Sequence, residues 1–151
     1  MIVLERAREE DIDLIHNMQV NAFKPLLDKY QDYETNPGNE SLEHVREKYN
    51  KDYANYFLIK NDNDVVGAVC VCKIKEHKKI SPIFILPEYW NNGYASSAIR
   101  ELEKIFGLDN WELDTILQEK GNCHLYEKMG YKQTGETKNI NDKMTIVFYK
   151  K

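Results

Sequence analysis

Between Ser81 and Ile99 a hydrophobic strand runs straight into a turn, and the turn opens a helix: Ser81-Pro-Ile-Phe-Ile-Leu-Pro-Glu-Tyr-Trp-Asn-Asn-Gly-Tyr-Ala-Ser-Ser-Ala-Ile99. This junction constrains the fold more than any other segment. The apolar run Ile83–Leu86 stops at Pro87, which cannot continue a hydrogen-bond ladder. From Asn91 to Phe106 the pattern is helical, with Ala95, Ala98, Ile99, Leu102, Ile105 and Phe106 on one stripe and Gly107 as the stop. Trp111–Leu117 then reads as a strand. A strand, a helix and another strand in succession imply a parallel pair inside a mixed sheet. The turn also carries chemistry. Gly93, Ala95, Ser96 and Ser97 are small, so an anion can approach the free N–H groups of the helix start, where the dipole adds to the attraction. A diphosphate is a natural guest. One glycine is not a dinucleotide fingerprint, and no Gly-Lys-Ser/Thr follows to make a Walker loop.

The remaining elements follow from periodicity. Met1–Leu4 reads as a short strand. Glu9–Phe23 reads as a helix with Ile12, Ile15, Met18 and Ala22 on one face, interrupted by Pro25. Residues 26–40 are irregular and end in the turn Asn36-Pro37-Gly38-Asn39. Ser41 is placed to cap a second helix carrying Leu42, Val45 and Tyr49. Tyr53–Lys60 and Val65–Lys75 read as a hairpin joined by Asn61-Asp62-Asn63-Asp64, and Lys79–Leu86 follows as a third strand. The charged run Lys73–Lys79 reads as a solvated hairpin tip. Asn122–Met129 reads as a short helix ending at Gly130, and Tyr131–Thr137 with Lys143–Tyr149 as a final strand pair. The order is β-α-α-β-β-β-α-β-α-β-β, a mixed α/β sheet in one domain over residues 1–151.

Composition excludes several classes. The chain has 151 residues, 42% apolar and 30% charged, and its net charge is −4, which lacks the basic footprint of a nucleic-acid binder. Its apolar runs fall far short of the ~20 residues a membrane helix needs. The start, MIVLERAREEDID, lacks the form of a signal peptide, so a cytoplasmic location is expected. Cys70, Cys72 and Cys123 are an odd set in a chain of this kind and read as free thiols. Cys70 and Cys72 share one strand face as small core residues, and no metal site is expected.

Two motifs together resemble a known family. Trp90-Asn-Asn-Gly-Tyr-Ala95 after the Leu86-Pro-Glu-Tyr89 turn, with Asn122 and Tyr126-Glu-Lys-Met-Gly-Tyr131 about 30 residues later, looks like the GCN5-related N-acetyltransferases (GNAT). The family's acetyl-CoA motif is Gln/Arg-x-x-Gly-x-Gly/Ala, and the element order fits the family's whole fold. One departure stands out: Trp90 occupies the place of the Gln or Arg that helps hold the pyrophosphate. Tryptophan there would pack on the cofactor or on the helix.

The resemblance implies roles by position. Phe84, Ile85 and Leu86 would line the pantetheine arm, with the Ile85 amide polarising the thioester carbonyl. Asn91, Asn92, Gly93, Tyr94, Ala95 and Ser96 would surround the pyrophosphate of acetyl-CoA. Asn122 matches the family's cofactor-contacting asparagine, and it could equally be a helix N-cap. Tyr126 would donate a proton to the departing CoA thiolate, since a phenol of pKa ~10 is protonated at neutral pH. Cys123 begins the same helix, where the dipole would favour its thiolate, but the family's usual route is direct transfer. No general base can be named: Glu88 belongs to the turn, and His16, His44, His77 and His124 show no catalytic pattern.

The implied activity is acetyl transfer from acetyl-CoA to a primary amine of a small molecule or peptide. A non-catalytic family member that binds CoA or a protein partner is the alternative, motivated by Trp90 and the missing base. The acidic bias of residues 28–47 would suit a cationic acceptor such as a polyamine, an aminoglycoside or a lysine side chain. No nucleic-acid or membrane partner is expected. The two last strands offer an edge through which a homodimer could form.

Overall fold

The computed structural model describes residues 1–151. It contains β1 (Ile2–Arg6), α1 (Ile12–Tyr30), α2 (Leu42–Tyr49), β2 (Ala54–Asn61), β3 (Asp64–Ile74), β4 (His77–Ile85), α3 (Tyr94–Phe106), β5 (Trp111–Ile116), α4 (Lys120–Lys128), β6 (Lys132–Asn139) and β7 (Thr145–Lys150). The strands form one seven-stranded sheet in the order β1-β2-β3-β4-β5-β7-β6. All neighbours are antiparallel except β4 and β5, the parallel pair expected from the strand–helix–strand unit. No helix is long and apolar enough to cross a membrane.

The sheet divides two apolar layers. On one face α3 and α4 bury Ile99, Leu102, Cys123 and Tyr126 against Phe57, Val69, Leu113 and Val147. On the other, α1 and α2 bury Ile12, Ile15, Met18, Ala22 and Val45 against Tyr56, Leu58, Ala68 and Cys70. Each Val, Leu, Ile, Phe or Met among them contributes roughly 1.5–3 kcal/mol by leaving water. Ser41 caps α2 as expected, accepting a hydrogen bond from the His44 amide at 3.1 Å.

Four sequence expectations need correction. Pro25 does not interrupt α1, which continues to Tyr30. Leu26 and Tyr30 pack into the core beyond it, as Phe23 does before it, and that packing outweighs the one lost backbone bond. The run Lys73–Lys79 is not wholly solvated: Lys78 is 4% exposed, and its Nζ donates to the Phe106 carbonyl at 2.9 Å. Asn122 is not an N-cap, because α4 begins two residues earlier and Glu119 holds that place. Of the last two strands, β7 lies between β5 and β6, so β6 alone presents an edge.

One irregularity shapes the middle of the sheet. The β4–β5 pairing ends after Lys78↔Trp111 and Lys79↔Glu112. Just beyond, the register of β4 against β3 shifts: Val71 pairs with Ile80, but Val69 pairs with Ile83. The extra residue lies at Ser81–Pro82, where a proline, having no N–H to give a ladder, is tolerated. A bulge bends its strand, and here β4 turns away from β5. Lys48 of α2 secures the bulge by donating to the Ser81 carbonyl at 2.7 Å.

Candidate active site

Where β4 and β5 part, a cavity of about 460 Å³ opens between the strands. That volume lies in the range of small-ligand sites. Its walls come from six parts of the chain: Ile80–Ile83 of β4, Leu113–Ile116 of β5, Asn122 and Tyr126 of α4, Phe23 and Leu26 of α1, the Asp32–Pro37 loop, and Lys138 to Phe148 at the β6–β7 end.

The free edge of β4 leads into this cavity. The Leu86 amide donates to the Val66 carbonyl at 2.8 Å, so Leu86 is directed toward β3. Phe84 is directed the same way: a Cβ on Gly67 would lie 2.1 Å from the Phe84 carbonyl oxygen. Alternation therefore turns the Ile85 N–H and C=O to the opposite edge. The Ile85 carbonyl confirms this direction by accepting the Trp90 indole N–H at 2.7 Å. Trp90, 47% exposed, is thus tied by its indole to the end of β4.

Beyond Trp90 the chain turns into α3 through a run of free amides. Asn91 and Gly93 have φ of 66° and 74°, and Gly93 opens α3. The first amide of this stretch with a partner is Ser97, which donates to the Gly93 carbonyl at 3.1 Å. The amides of Asn91, Asn92, Gly93, Tyr94, Ala95 and Ser96 are left without acceptors in the protein, as expected of a helix start. The Asn92 side chain braces the turn by donating to the Tyr89 and Trp90 carbonyls at 2.9 and 3.1 Å. A Cβ at Gly93 would meet nothing within 4 Å, so the space beside Gly93 is open. Tyr94 is directed elsewhere: its hydroxyl accepts from the Asn61 amide side chain at 3.0 Å.

Tyr126 sits on the inner face of α4 at the cavity wall. Its ring packs against Tyr131 and Tyr149, each at 6.2 Å between centroids. Burial, and then the negative charge of Asp114, push its phenol up to about 12. The group is therefore a protonated donor across the working pH range. Asn122 stands one turn earlier on the same helix and lines the same cavity. Cys123 is buried behind them, its thiol directed to the Ile116 and Leu117 carbonyls at 3.7 and 3.8 Å.

Other candidates fall away from the cavity. His124 and Glu88 are exposed and are not among its walls. His16 and His44 both bond Glu40, which also receives the Gln19 amide at 2.7 Å; this cluster ties α1 to the start of α2. Of the acidic residues between positions 28 and 47, Asp32 alone lines the cavity, while Asp28 pairs with Lys24 at 3.1 Å. Sequence reasoning missed Asp114, Lys79 and Gly67. A carboxylate inside the strand Trp111–Ile116 and a glycine inside β3 were the available signals.

A family model described as "Acetyltransferase (GNAT) family" matches residues 23–131. A search of curated protein sequences gives no match. Among solved structures, the spermidine N-acetyltransferase of Vibrio cholerae, in complex with CoA and spermine, superposes with a TM-score of 0.75 at 22% identity, covering 98% of this chain and 93% of that one. The ribosomal-protein alanine N-acetyltransferase of Escherichia coli gives 0.74 at 13% identity, over 99% of this chain and 92% of that one. A GNAT-family acetyltransferase of Streptococcus pneumoniae gives 0.69 at 17%, over 100% and 99%.

Proposed function

The chain belongs to the GNAT family of acetyltransferases, and on that premise we propose that it moves an acetyl group from acetyl-CoA directly to a primary amine of a small molecule or peptide. Residues 1–151 act as one catalytic domain in this reading. The observation that carries it is the run of unpartnered amides from Asn91 to Ser96, standing beyond the strand whose free edge opens on the Tyr126 cavity. Such a cradle fits a pyrophosphate.

Acetyl-CoA supplies the thioester. The protein supplies the rest. The outward Ile85 amide donates to the thioester oxygen, a contribution on the order of 100-fold in rate for one such donor elsewhere. The Trp90 indole donates to the Ile85 carbonyl at 2.7 Å, in the peptide unit next to the one that carries the Ile85 amide, and so steadies the end of β4. Asn122 contacts the cofactor arm, and Tyr126 delivers its phenol proton to the leaving sulfur. The acceptor enters between the β6–β7 end and the loop after α1. The structural neighbours span a polyamine acetyltransferase and a protein alanine acetyltransferase; in this chain the cavity walls carry Asp32 and Asp114 against Lys79 and Lys138. A cytoplasmic setting goes with this reading, and a homodimer would use the β6 edge.

The test is thermal unfolding with saturating CoA and acetyl-CoA, followed by acetylation of a panel of primary amines. A ligand at ~100 times its Kd stabilises by ~2.7 kcal/mol, a rise of about 5–10 °C for a domain of this size. No shift with either ligand overturns the cofactor assignment. A shift without transfer to any amine leaves the non-catalytic alternative, a CoA-binding member of the fold.

A further inference from the structure

The cavity beside Tyr126 holds two carboxylates, and they differ in freedom. Asp32 is 5% exposed, and both of its oxygens are engaged by Thr35: Oδ1 accepts from the amide at 3.0 Å, and Oδ2 accepts from the hydroxyl. It holds a turn together. Asp114 lies on β5, two residues past Glu112, the last residue that pairs with β4. Its backbone belongs to the stretch that pairs with β7, opposite Phe148, so its place is fixed by the sheet and not by a loop. Its Oδ2 meets Lys79 Nζ at 3.2 Å. That ion pair is the one side-chain contact of Asp114, whose carboxylate is 36% exposed and lines the cavity. The other charged and titratable groups around the cavity are Tyr126 from α4, Lys138 from β6 and Asp32 from the loop. On its own strand, Glu112 is occupied with His77 at 3.0 Å.

We propose that Asp114 is the proton acceptor for the incoming amine, working across the cavity from the proton donor Tyr126. This rests on the transferase reading. The amine nitrogen bonds to the acetyl carbon as the carbon–sulfur bond breaks. The proton lost by the nitrogen goes to the Asp114 carboxylate. The phenol proton of Tyr126 goes to the sulfur, giving free CoA. The exposed Asp114 carboxyl then releases its proton to solvent and the Tyr126 phenolate takes one back from solvent, so both groups are restored and the reaction is proton-neutral for a neutral amine. The arrangement places a donor on α4 and an acceptor on β5, both in the wall of the cavity that opens where β4 leaves β5.

The test compares wild type with Asp114→Asn and Asp114→Glu, using acetyl-CoA and three amines: spermidine, a lysine amide and an alanine-terminated peptide. Amine affinity for the CoA-loaded protein and acetyl-CoA affinity are measured by calorimetry alongside. The expected result is a kcat lower by about 100-fold or more in Asp114→Asn, partial recovery in Asp114→Glu, and both affinities within about twofold of wild type. A kcat within about threefold of wild type overturns the proposal. So does a raised KM at unchanged kcat, because Asp114 would then hold an ammonium without taking its proton. Wild-type protein that binds acetyl-CoA but acetylates none of the three amines removes the transferase reading itself, and the role of Asp114 with it. Wild-type turnover matched by Asp114→Asn removes the role of Asp114 alone.

Discussion

At Tyr126 the proposed chemistry depends on a single oxygen. The ring is held by Tyr131 and Tyr149, contacts that phenylalanine keeps. Tyr126→Phe is therefore expected to leave acetyl-CoA affinity and Tm nearly unchanged and to lower kcat by about 100-fold, the loss typical of one general acid; unchanged turnover would sink the assignment. At Gly93 the constraint is in the backbone. Its φ of 74° is unfavourable for any side chain, and its neighbourhood is empty to 4 Å. Gly93→Leu is expected to destabilise the free protein by about 1–2 kcal/mol, and to weaken acetyl-CoA binding at least tenfold by filling that space. Calorimetry showing equal affinity would take the cradle out of the argument. Both residues stand out as candidates in the sequence because each sits in a short local pattern: a small residue at a helix start, a tyrosine in a short motif. Asp114 does not. Its candidacy comes from the point, after Lys79, at which another strand leaves its side.

Whole elements show the same division. The strands and helices were readable from periodicity, since each buries one regular face. What escaped were features set by packing between elements. Pro25 reads as a helix stop, yet α1 runs through it because Leu26 and Tyr30 reach apolar partners on β5 and near β7. The end of α1 is also clasped to α4: the Tyr30 hydroxyl donates to Glu119 at 2.5 Å and Lys29 to the same carboxylate at 2.9 Å. The helix thus tolerates a local defect. A proline inside a helix costs about 3 kcal/mol, and its stiffening of the unfolded chain offsets about 0.4–1 kcal/mol of that. Pro25→Ala is expected to raise stability by about 2–2.6 kcal/mol, seen as a higher urea midpoint at constant m. A lower midpoint would mean that the ring's own contacts matter more than the missing bond. The bulge at Ser81–Pro82 was equally hidden: the proline is plain in the sequence, but the register shift it accompanies is a property of β3 and β4 together.

Across the whole molecule the sheet separates two apolar layers, and tyrosines are built into both. Tyr30, Tyr56, Tyr126, Tyr131 and Tyr149 all have raised pKa values, with burial as the first cause in each. The hydroxyls of Tyr56 and Tyr131 are buried without a hydrogen-bond partner. A phenol whose folded pKa is raised stays protonated in the native state while the unfolded chain ionises near pH ~10. Below that pH the groups do not affect the pH dependence. Above it the unfolded state holds fewer protons than the native one, so stability falls as pH rises. For Tyr126 this window runs from the ordinary tyrosine value to about 12. Each tyrosine withheld from ionising contributes at most ~1.36 kcal/mol per pH unit. Tm is expected to be flat from neutral pH to about 10 and then to drop steeply. Changing Tyr56 and Tyr131 to phenylalanine removes two of these groups and two unpartnered hydroxyls, and replacing a buried polar group in this way is near neutral or stabilising. The double variant is therefore expected to match or exceed wild-type Tm at neutral pH and to show a shallower alkaline decline, with tyrosinate absorbance tracking the loss. An alkaline slope equal to that of wild type would show that these two phenols ionise in the folded protein, and that the layers around them admit water.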